Sequence, residues 1–336
     1  MHVLVTGPTG FLGKAVVDTL ALHGHRIRIL HRPTSNLQCV SASVSEYVIG
    51  DITDPLLMVQ AASGVDAIIH LAADLSHWRR RRDQIMRTNV TGTRIVAEAA
   101  KTAGVSVLVH VSSVAAVGFS RTGTPIDETA PNNFRPLKLV YNESKRLAEE
   151  EAADARRYGV RVIIVNPGVV YGPRPLTHTF GHTMLEIAGH RVPGHPSGGL
   201  SIVDVDDVAA GIVSALQRGT DGERYLLTGE NITYADLFGR QAKAAGTDYH
   251  GRTLPSSVLF LAAQAFEARA AFNGREPRLT RDHAKIAPLR MWYTSAKAQR
   301  ELGFSARPLE ATLERMAEAY RAAGALPRTT SGGRGS

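Results

Sequence analysis

The stretch that decides the fold is Val3-Leu4-Val5-Thr6-Gly7-Pro8-Thr9-Gly10-Phe11-Leu12-Gly13. Its apolar, β-branched start predicts a strand, and three glycines with the spacing G-x-x-G-x-x-G follow before a helical pattern begins. Glycine is needed where a side chain would keep the backbone away from a pyrophosphate, and the first N–H groups of the helix then face the phosphates. The stretch predicts a dinucleotide cradle; the alternative is a tight turn without a ligand. The expected cofactor contacts are Gly7, Thr9, Gly10, Phe11, Leu12 and Gly13.

Short apolar runs alternate with helical patterns through the first half of the chain. Strands separated by helices predict a parallel sheet covered on both faces, with ligands at the carboxyl ends of the strands. The predicted strands are residues 3–6, 26–30, 47–49, 67–71, 106–111 and 161–166. The predicted helices are residues 11–23, 88–103 and 141–158. The predicted fold class is α/β, a Rossmann-type doubly wound parallel sheet with a smaller C-terminal substrate-binding lobe.

The pattern changes after Pro167, where Gly, Pro and His become frequent. Further strands are predicted at residues 202–203 and 224–227, and further helices at residues 206–217, 234–245, 256–272 and 309–323. We expect residues 1–168 to form a dinucleotide-binding Rossmann domain, to which residues 200–228 return. Residues 169–325 are expected to form mainly a substrate-binding lobe. Residues 326–336 are rich in Gly and Ser and predict a disordered tail.

Composition limits the classes of function. Hydrophobic residues make up 43% of the 336 residues, which excludes a disordered chain. The net charge of +8 indicates a solvated basic face or an anionic partner, and we expect the run Arg79-Arg80-Arg81-Arg82 to be solvated. The single Cys39 excludes an intrachain disulfide, and residues 258–263 are too short for a membrane span and predict a core or interfacial helix. We expect a cytoplasmic protein without a secretory leader that does not bind nucleic acid.

The residues after the second predicted strand indicate which dinucleotide binds. An acidic residue there would bind the ribose hydroxyls of NAD, whereas arginine accommodates the 2′-phosphate of NADP. The segment His31-Arg32-Pro33-Thr34-Ser35-Asn36 contains no carboxylate, so we predict NADP rather than NAD, with Arg32 and Ser35 at the phosphate. Asp51, followed by Ile52, either bonds the adenine amino group or caps a helix.

A phenol and an ammonium lie four residues apart in Tyr141-Asn142-Glu143-Ser144-Lys145. On a helix this spacing places both side chains on one face. A neighbouring ammonium lowers the pKa of a tyrosine towards values useful for proton transfer, so we expect Lys145 to lower the pKa of Tyr141. Ser112 and Ser113 end a predicted strand, where a hydroxyl can bond a substrate carbonyl or cap a turn. The alternative for the pair is an ordinary surface Tyr and Lys.

Together these motifs resemble the extended short-chain dehydrogenase/reductase family over roughly residues 1–320. The resemblance is carried by residues 6–13, His70-Leu71-Ala72-Ala73, Asn89-Val90-Thr91-Gly92-Thr93, Val111-Ser112-Ser113, Tyr141 to Lys145 and Asn166-Pro167-Gly168-Val169-Val170-Tyr171-Gly172-Pro173. It implies that Tyr141 is the general acid/base, Lys145 its helper and Ser113 the partner of the carbonyl. Asn89 would complete a proton relay, or else bond backbone as a helix residue. The further implied cofactor contacts are Asp51, Ile52, Leu71, Ala72, Ala73, Tyr141, Lys145, Pro167, Gly168 and Val170.

Two segments, residues 30–37 and 200–209, resemble the dihydroflavonol reductase and 3β-hydroxysteroid dehydrogenase branch, although Asp206 stands where arginine is common. This resemblance implies transfer of hydride between NADP and the carbonyl or secondary alcohol of a moderately apolar substrate, such as a ketone or a steroid-like or polyketide-like molecule. One alternative is a sugar-nucleotide epimerase or dehydratase with tightly bound NAD. Another is a non-enzymatic regulator that senses NADP.

The substrate is expected to be a small molecule held between the two parts of the chain. The residues predicted to line its pocket are Trp78, Ser113, Val114, Tyr171, His178 and His182. His178 and His182 have a spacing that can bind a metal on a helix, but no Cys or acidic ligand completes a site, so we predict no metal. The family resemblance also implies a homodimer.

Overall fold

The structure, a computed structural model, describes residues 1–38, 40, 43–173 and 179–327; Cys39, His178 and the last nine residues lie outside this part. Its strands are β1 (His2–Thr6), β2 (Arg26–His31), β3 (Glu46–Ile49), β4 (Ala67–His70), β5 (Val107–Val111), β6 (Arg161–Pro167), β7 (Val169–Tyr171), β8 (Gly194–His195), β9 (Gly199–Asp204), β10 (Arg224–Leu227), β11 (Glu230–Thr233) and β12 (Arg252–Thr253). Seven of them form one parallel sheet in the order β10-β6-β5-β4-β1-β2-β3.

The helices cover this sheet and build the second part of the chain. They are α1 (Phe11–Leu22), α2 (Pro55–Ala62), α3 (Arg82–Met86), α4 (Gly92–Thr102), α5 (Val140–Asp154), α6 (Thr179–Ala188), α7 (Val205–Arg218), α8 (Tyr234–Ala245), α9 (Ser256–Asn273), α10 (Arg281–Ile286), α11 (Ala296–Leu302) and α12 (Leu309–Ala322). Within the described part of the chain, no helix is both long and apolar enough to cross a bilayer.

Successive side chains of the buried strands face two different hydrophobic cores. Val3 and Val5 face the core that α1 and α7 cover, whereas Leu4, between them, faces the core built with α2 and α4. Successive side chains of a strand point to opposite faces, so a run that is buried throughout requires helices on both faces. This doubly wound sheet confirms the predicted α/β Rossmann-type fold.

Two smaller sheets and a third core lie outside the large sheet. The strands β11, β9 and β7 form one small sheet, and β12 pairs with β8. Of residues 200–228, which the sequence predicts to return to the Rossmann domain, α7 packs on the large sheet and β10 joins it, whereas the small sheet contains β9. Its residue Ile202 pairs with Val169 on one side and Glu230 on the other, and only β10 joins the large sheet, beside β6.

Residue 326, the first of the predicted disordered tail, is ordered in this structure. Leu326 is buried in the third core, and the backbone N–H groups of Ala325 and Leu326 donate to the carbonyl of Tyr320. These bonds continue the end of α12, so the chain stays packed to at least Leu326. Residues 328–336, for which disorder is also predicted, lie outside the described part of the chain.

Candidate active site

The glycine turn after β1 has the geometry of a phosphate cradle. Gly7 has φ +71°, and a Cβ there would lie 2.8 Å from the backbone nitrogen of Ala72. A Cβ on Gly13 would collide with the carbonyl oxygen of Gly7. Gly10 is the residue just before α1 and has no side chain to cap it. The first N–H groups of the helix therefore keep their capacity to bind an anion. These residues fit the pyrophosphate of a dinucleotide.

The end of β4 is fastened beside this cradle. The Thr6 hydroxyl accepts a hydrogen bond from the backbone N–H of Ala72 at 3.3 Å and bonds His70 Nδ1 at 2.7 Å. The N–H of Leu71 donates to the carbonyl of Thr6. Leu71, Ala72 and Ala73 therefore follow the cradle edge, where the sequence predicts cofactor contacts.

The segment after β2 leaves a cation exposed. A turn in which the N–H of Ser35 donates to the carbonyl of Arg32 brings these two residues together. Among the described residues, none bonds the guanidinium of Arg32. Asp51 accepts hydrogen bonds from the N–H and hydroxyl of Thr53, while Asp54 caps α2. The alternative of Asp51 as a helix cap is therefore wrong; Ile52, next to it, is buried.

Tyr141 lies in the first turn of α5 and is 8% exposed. Burial is the main cause that raises its pKa to about 12; a hydrogen bond with the Ser113 side chain opposes this rise, and the charge of Asp74 adds to it. Ser113 follows β5, and its hydroxyl also accepts from the N–H of Ala115 at 3.2 Å, which caps a short 3-10 helix. The cap considered for Ser113 is therefore present, and its bond to a substrate carbonyl stays a prediction.

Lys145 is buried one turn further along α5. Its Nζ donates to the carbonyl of Val111 at 3.0 Å. Burial lowers the pKa of Lys145 to about 8, and the charge of Glu149 partly opposes this change. The predicted lowering of the Tyr141 pKa by Lys145 is wrong for this structure, because burial of the phenol dominates its pKa and the ammonium is directed to β5.

Asn89 is buried within the π-helical turn Arg87–Thr91. Its Oδ1 accepts from the backbone N–H of Asp74 at 2.7 Å, and its Nδ2 donates to the carbonyl of Asp74 and to the hydroxyl of Ser144. These bonds match the alternative in which Asn89 bonds backbone. They hold the segment that follows β4 against α5, and a role in a proton relay stays a prediction.

The cofactor contacts that the family resemblance implies after β6 lie where the large sheet meets the small sheet of β7, β9 and β11. Pro167 ends β6, and a Cβ on Gly168 would lie 2.7 Å from the carbonyl oxygen of Ser201 in β9. Val170, in β7, packs against the core that α1 and α7 cover. This close approach explains glycine at position 168.

The predicted pocket residues are mostly buried. Trp78, Val114 and Tyr171 are buried, and the Tyr171 hydroxyl accepts from Gln241 at 3.3 Å inside the third core. His182 is exposed on α6, and His178 lies outside the described residues. In the part of the chain with described coordinates, no group of three or more His, Cys, Asp or Glu could hold a metal ion.

The sequence analysis missed two histidines near this site: His77 lies against Tyr141, and His283 lies against His77. The ring of His77 is 4.7 Å from that of Tyr141 and 4.4 Å from that of His283. Burial, together with its neighbour His283, holds the pKa of His77 far below its usual value, so this imidazole is neutral. His77 follows β4, at the edge of the sheet where ligands are expected, so its position in the sequence could have marked it as a site residue. No local pattern marks His283, in α10, as one.

The arginine run makes ion pairs, which the expectation of a solvated run did not include, although Arg79 and Arg81 keep 36% and 41% of their side chains exposed. The Nε of Arg79 lies 2.7 Å from Asp282, and Arg81 pairs with Asp74 at 2.8 Å and Glu276 at 3.0 Å. The acidic partners come from the segment after β4 and from the end of the chain, so sequence spacing alone could not reveal them.

Asp282 also contacts α5. It is fully buried, and its second oxygen accepts from the backbone N–H of Val140 at 3.1 Å. Leu139, which begins the helix, provides no side-chain cap. Asp282 thus supplies an acceptor and a negative charge at the start of the helix that carries Tyr141.

A sequence profile of the NAD dependent epimerase/dehydratase family matches residues 3–228, more than half of the chain. The chain belongs to this family. Membership confirms the resemblance to extended short-chain dehydrogenases/reductases and makes this chain an NAD(P)-dependent oxidoreductase of the epimerase/dehydratase family. The glycine cradle gives that cofactor class a physical basis.

Relatives of this epimerase/dehydratase family chain include reductases. A putative dihydroflavonol 4-reductase of Synechocystis sp. is 34% identical over 304 residues, which cover 89% of this chain and 88% of that protein. Sterol demethylase protein B of Methylococcus capsulatus is 30% identical over 307 residues, covering 90% and 93%. The crystal structure of gox2253 has 38% sequence identity and a TM-score of 0.85, covering 97% of this chain and 99% of that one.

Proposed function

We propose that this chain is an NADP-dependent reductase that acts on the carbonyl or secondary alcohol of a moderately apolar substrate, with Tyr141 as general acid/base. The observation that carries the proposal is the buried Tyr141 phenol, whose pKa the neighbouring Ser113 side chain affects. Ser113 follows β5, and the glycine cradle follows β1, so both lie at the carboxyl edge of one parallel sheet.

The protonation state of Tyr141 suits reduction. With a pKa of about 12, the phenol keeps its proton at neutral pH and can donate it to the oxygen of a carbonyl as that oxygen gains charge. The Ser113 hydroxyl orients this oxygen, and Lys145, one turn further along α5, would bond the ribose of the nicotinamide. The nicotinamide supplies the hydride when the cofactor is bound.

The preference for NADP rests on Arg32. Its guanidinium is exposed after β2 with no bond from any described residue, and residues 31–36 contain no carboxylate. A guanidinium binds a phosphate through several directed hydrogen bonds, and a carboxylate there would repel the 2′-phosphate.

The apolar substrate class rests on relatives and on the surroundings of Tyr141. The names of the two relatives refer to a dihydroflavonol and a sterol, which are polycyclic molecules. The His77 ring against Tyr141 is neutral, which suits such a molecule better than a nucleotide diphosphate. Phosphates would call for cations at the same place.

The test measures NADPH oxidation with a panel of dihydroflavonols and steroid ketones, and sugar isomerisation with nucleotide sugars. Tyr141→Phe should lower kcat by at least about 100-fold and leave the affinity for NADPH unchanged. Tyr158→Phe is the matched control, because Tyr158 is exposed at the far end of the segment that continues α5. Full activity of Tyr141→Phe, or sugar isomerisation without net NADPH use, would overturn the proposal. Light scattering tests the predicted homodimer.

A further inference from the structure

The helix α9 presents an apolar stripe to solvent. Its members recur at intervals of three and four residues, which places them on one face of a helix. They are Val258, Leu261, Ala265, Ala268 and Phe272. Val258 is 48% exposed, Leu261 67% and Phe272 93%, and both alanines are exposed. Large apolar side chains in a contiguous exposed row are typical of a surface that binds something.

The opposite face fixes the helix in this orientation. Ala263, Glu267 and Ala270 are the buried residues of α9. The carboxylate of Glu267 accepts from both the backbone N–H and the Nε of Arg281, at the start of α10. The stripe is therefore held outward, and α9 is not buried on all sides as a core helix would be.

The charges around the stripe are cationic. Arg252, Arg269 and Arg275 are exposed, and no described residue pairs with them. Residues 252–280 contain two carboxylates, Glu267 and Glu276, and each already pairs with an arginine. An anionic surface would meet the unpaired positive charge of Arg269 within the helix and of Arg275 just after it.

We propose that α9 docks on an anionic lipid bilayer, lying in the plane of the interface with Leu261 and Phe272 in the acyl boundary and the arginines at the headgroups. Exposed apolar side chains can enter the acyl boundary of a bilayer while neighbouring arginines bind its anionic headgroups. The helix has 18 residues and is about 27 Å long, enough for several turns of contact. A second copy is disfavoured, because it would bring the same arginines to the interface without free carboxylates to meet them.

The docking surface lies one element away from the candidate site. The chain runs from α9 through residues 274–280 into α10, which places Asp282 on α5 and His283 on His77. If the reaction takes an apolar substrate, a bilayer at α9 brings the source of that substrate close to Tyr141. This consequence rests on the proposed function, whereas the docking itself does not.

The test is co-sedimentation of the full chain with vesicles of phosphatidylcholine alone or mixed with phosphatidylglycerol. We expect binding to the mixed vesicles that weakens as salt is raised. The double variant Leu261→Gln/Phe272→Gln should reduce the partition coefficient at least about tenfold. The matched control, Leu22→Gln/Leu56→Gln, removes leucines that are 86% and 79% exposed on other helices and should bind as the wild type does. Melting curves establish that each variant folds.

A second pair of variants tests the charge independently of the stripe. Arg269→Glu/Arg275→Glu should reduce binding to the mixed vesicles by about tenfold or more and leave the weak binding to phosphatidylcholine unchanged. The proposal is overturned if the wild type does not bind phosphatidylglycerol vesicles, or if the control double variant loses as much binding as the stripe variant. It is also overturned if the stripe variant only converts a dimer to a monomer in light scattering. None of these measurements involves turnover, so their failure is separate from failure of the proposed reaction.

Discussion

Replacing Asp282 with alanine should loosen the attachment of the C-terminal part of the chain to α5. The carboxylate is fully buried and bonds the Nε of Arg79 at 2.7 Å and the N–H of Val140 at 3.1 Å. The first residue of the helix would then have no acceptor for its N–H among the described residues, and Arg79 would lose its counter-charge. We expect lower stability, and lower turnover because Tyr141 follows Val140 directly.

The magnitude follows from these two bonds. A hydrogen bond to a charged group contributes about 1.5–3 kcal/mol, and a buried donor left without an acceptor costs about 1–3 kcal/mol. Breaking a buried ion pair costs about 3–5 kcal/mol in all, and the Arg79 side chain is 36% exposed, so water can solvate it and the lower end, about 3 kcal/mol, applies. With an unfolding entropy of about 2.1 cal/mol/K per residue, 336 residues give about 0.7 kcal/mol/K and a fall in Tm of about 4 °C.

Calorimetry of the chain without cofactor measures the stability, and NADPH oxidation with a ketone substrate measures turnover. Asp282→Asn keeps an oxygen for Val140 but removes the charge, so its loss of Tm should be smaller than that of alanine. Asp248→Ala is the matched control, since Asp248 is exposed, and its effect should stay within about 0.5 kcal/mol. The reasoning is refuted if Asp282→Ala melts like the wild type. It is also refuted if the variant melts earlier but keeps the wild-type kcat, because a positioning role requires kcat to fall while affinity for NADPH is retained.

Three further perturbations test the site. Lys145→Met should raise the Tm of the cofactor-free chain at pH 7 while lowering turnover, because an ammonium whose pKa falls to about 8 on folding is unfavourable when charged. Between about pH 8 and 10.5 the unfolded chain binds more protons at Lys145 than the folded chain does, so a Tm series should show the wild type gaining stability relative to the variant as pH rises. Arg32→Glu should raise KM for NADPH at least about tenfold and lower KM for NADH, measured in steady-state kinetics. Gly13→Ala should abolish NADPH binding followed by fluorescence, because its Cβ meets the carbonyl of Gly7, whereas Gly239→Ala, with open space around position 239, should bind NADPH normally.

Local patterns predicted most of the large sheet and its helices. The strands β1, β4, β5 and β6 are buried apolar runs, and the predicted bounds agree with the structure to within about one residue. The helix α2 was considered only as the alternative in which Asp51 caps a helix, although the cap Asp54 and Pro55 in its first turn are a start signal readable from the sequence. Its apolar run, PLLMVQAA, has no clear helical period, so the hydrophobic pattern gave no indication.

The small sheet could not be placed from local sequence. The strands β7, β9 and β11 have three, six and four residues, and their pairing joins segments that are far apart in the chain. Gly168 needs to be glycine because β9 passes close by, and this reason appears only when both strands are placed. Short strands are specified by their partners more than by their own composition.

The candidate site also contains residues that local sequence reveals and contacts that only the fold reveals. Gly7, Gly13, Tyr141 and Lys145 could be found because each motif lies within one element and its immediate neighbour. The contact of Asp282 with Val140 spans 142 residues, so no spacing rule could reveal it. The pKa of Tyr141 could not be foreseen either, because it depends on burial by the whole fold rather than on the neighbouring lysine.

Burial at this site has two opposed consequences that explain why distant ion pairs surround it. Removing water from Tyr141 keeps its proton in place at neutral pH, but the same burial makes the charge of Lys145 unfavourable. Favourable contacts elsewhere in the fold must offset the free energy lost by burying Lys145. The bonds of Asp282 to Arg79 and Val140 are such contacts, and they lie directly beside α5, the helix that carries Tyr141 and Lys145. The stabilising contacts therefore come from the part of the chain that also excludes water from the phenol, so loss of those contacts should shift stability, the protonation of Tyr141 and turnover together.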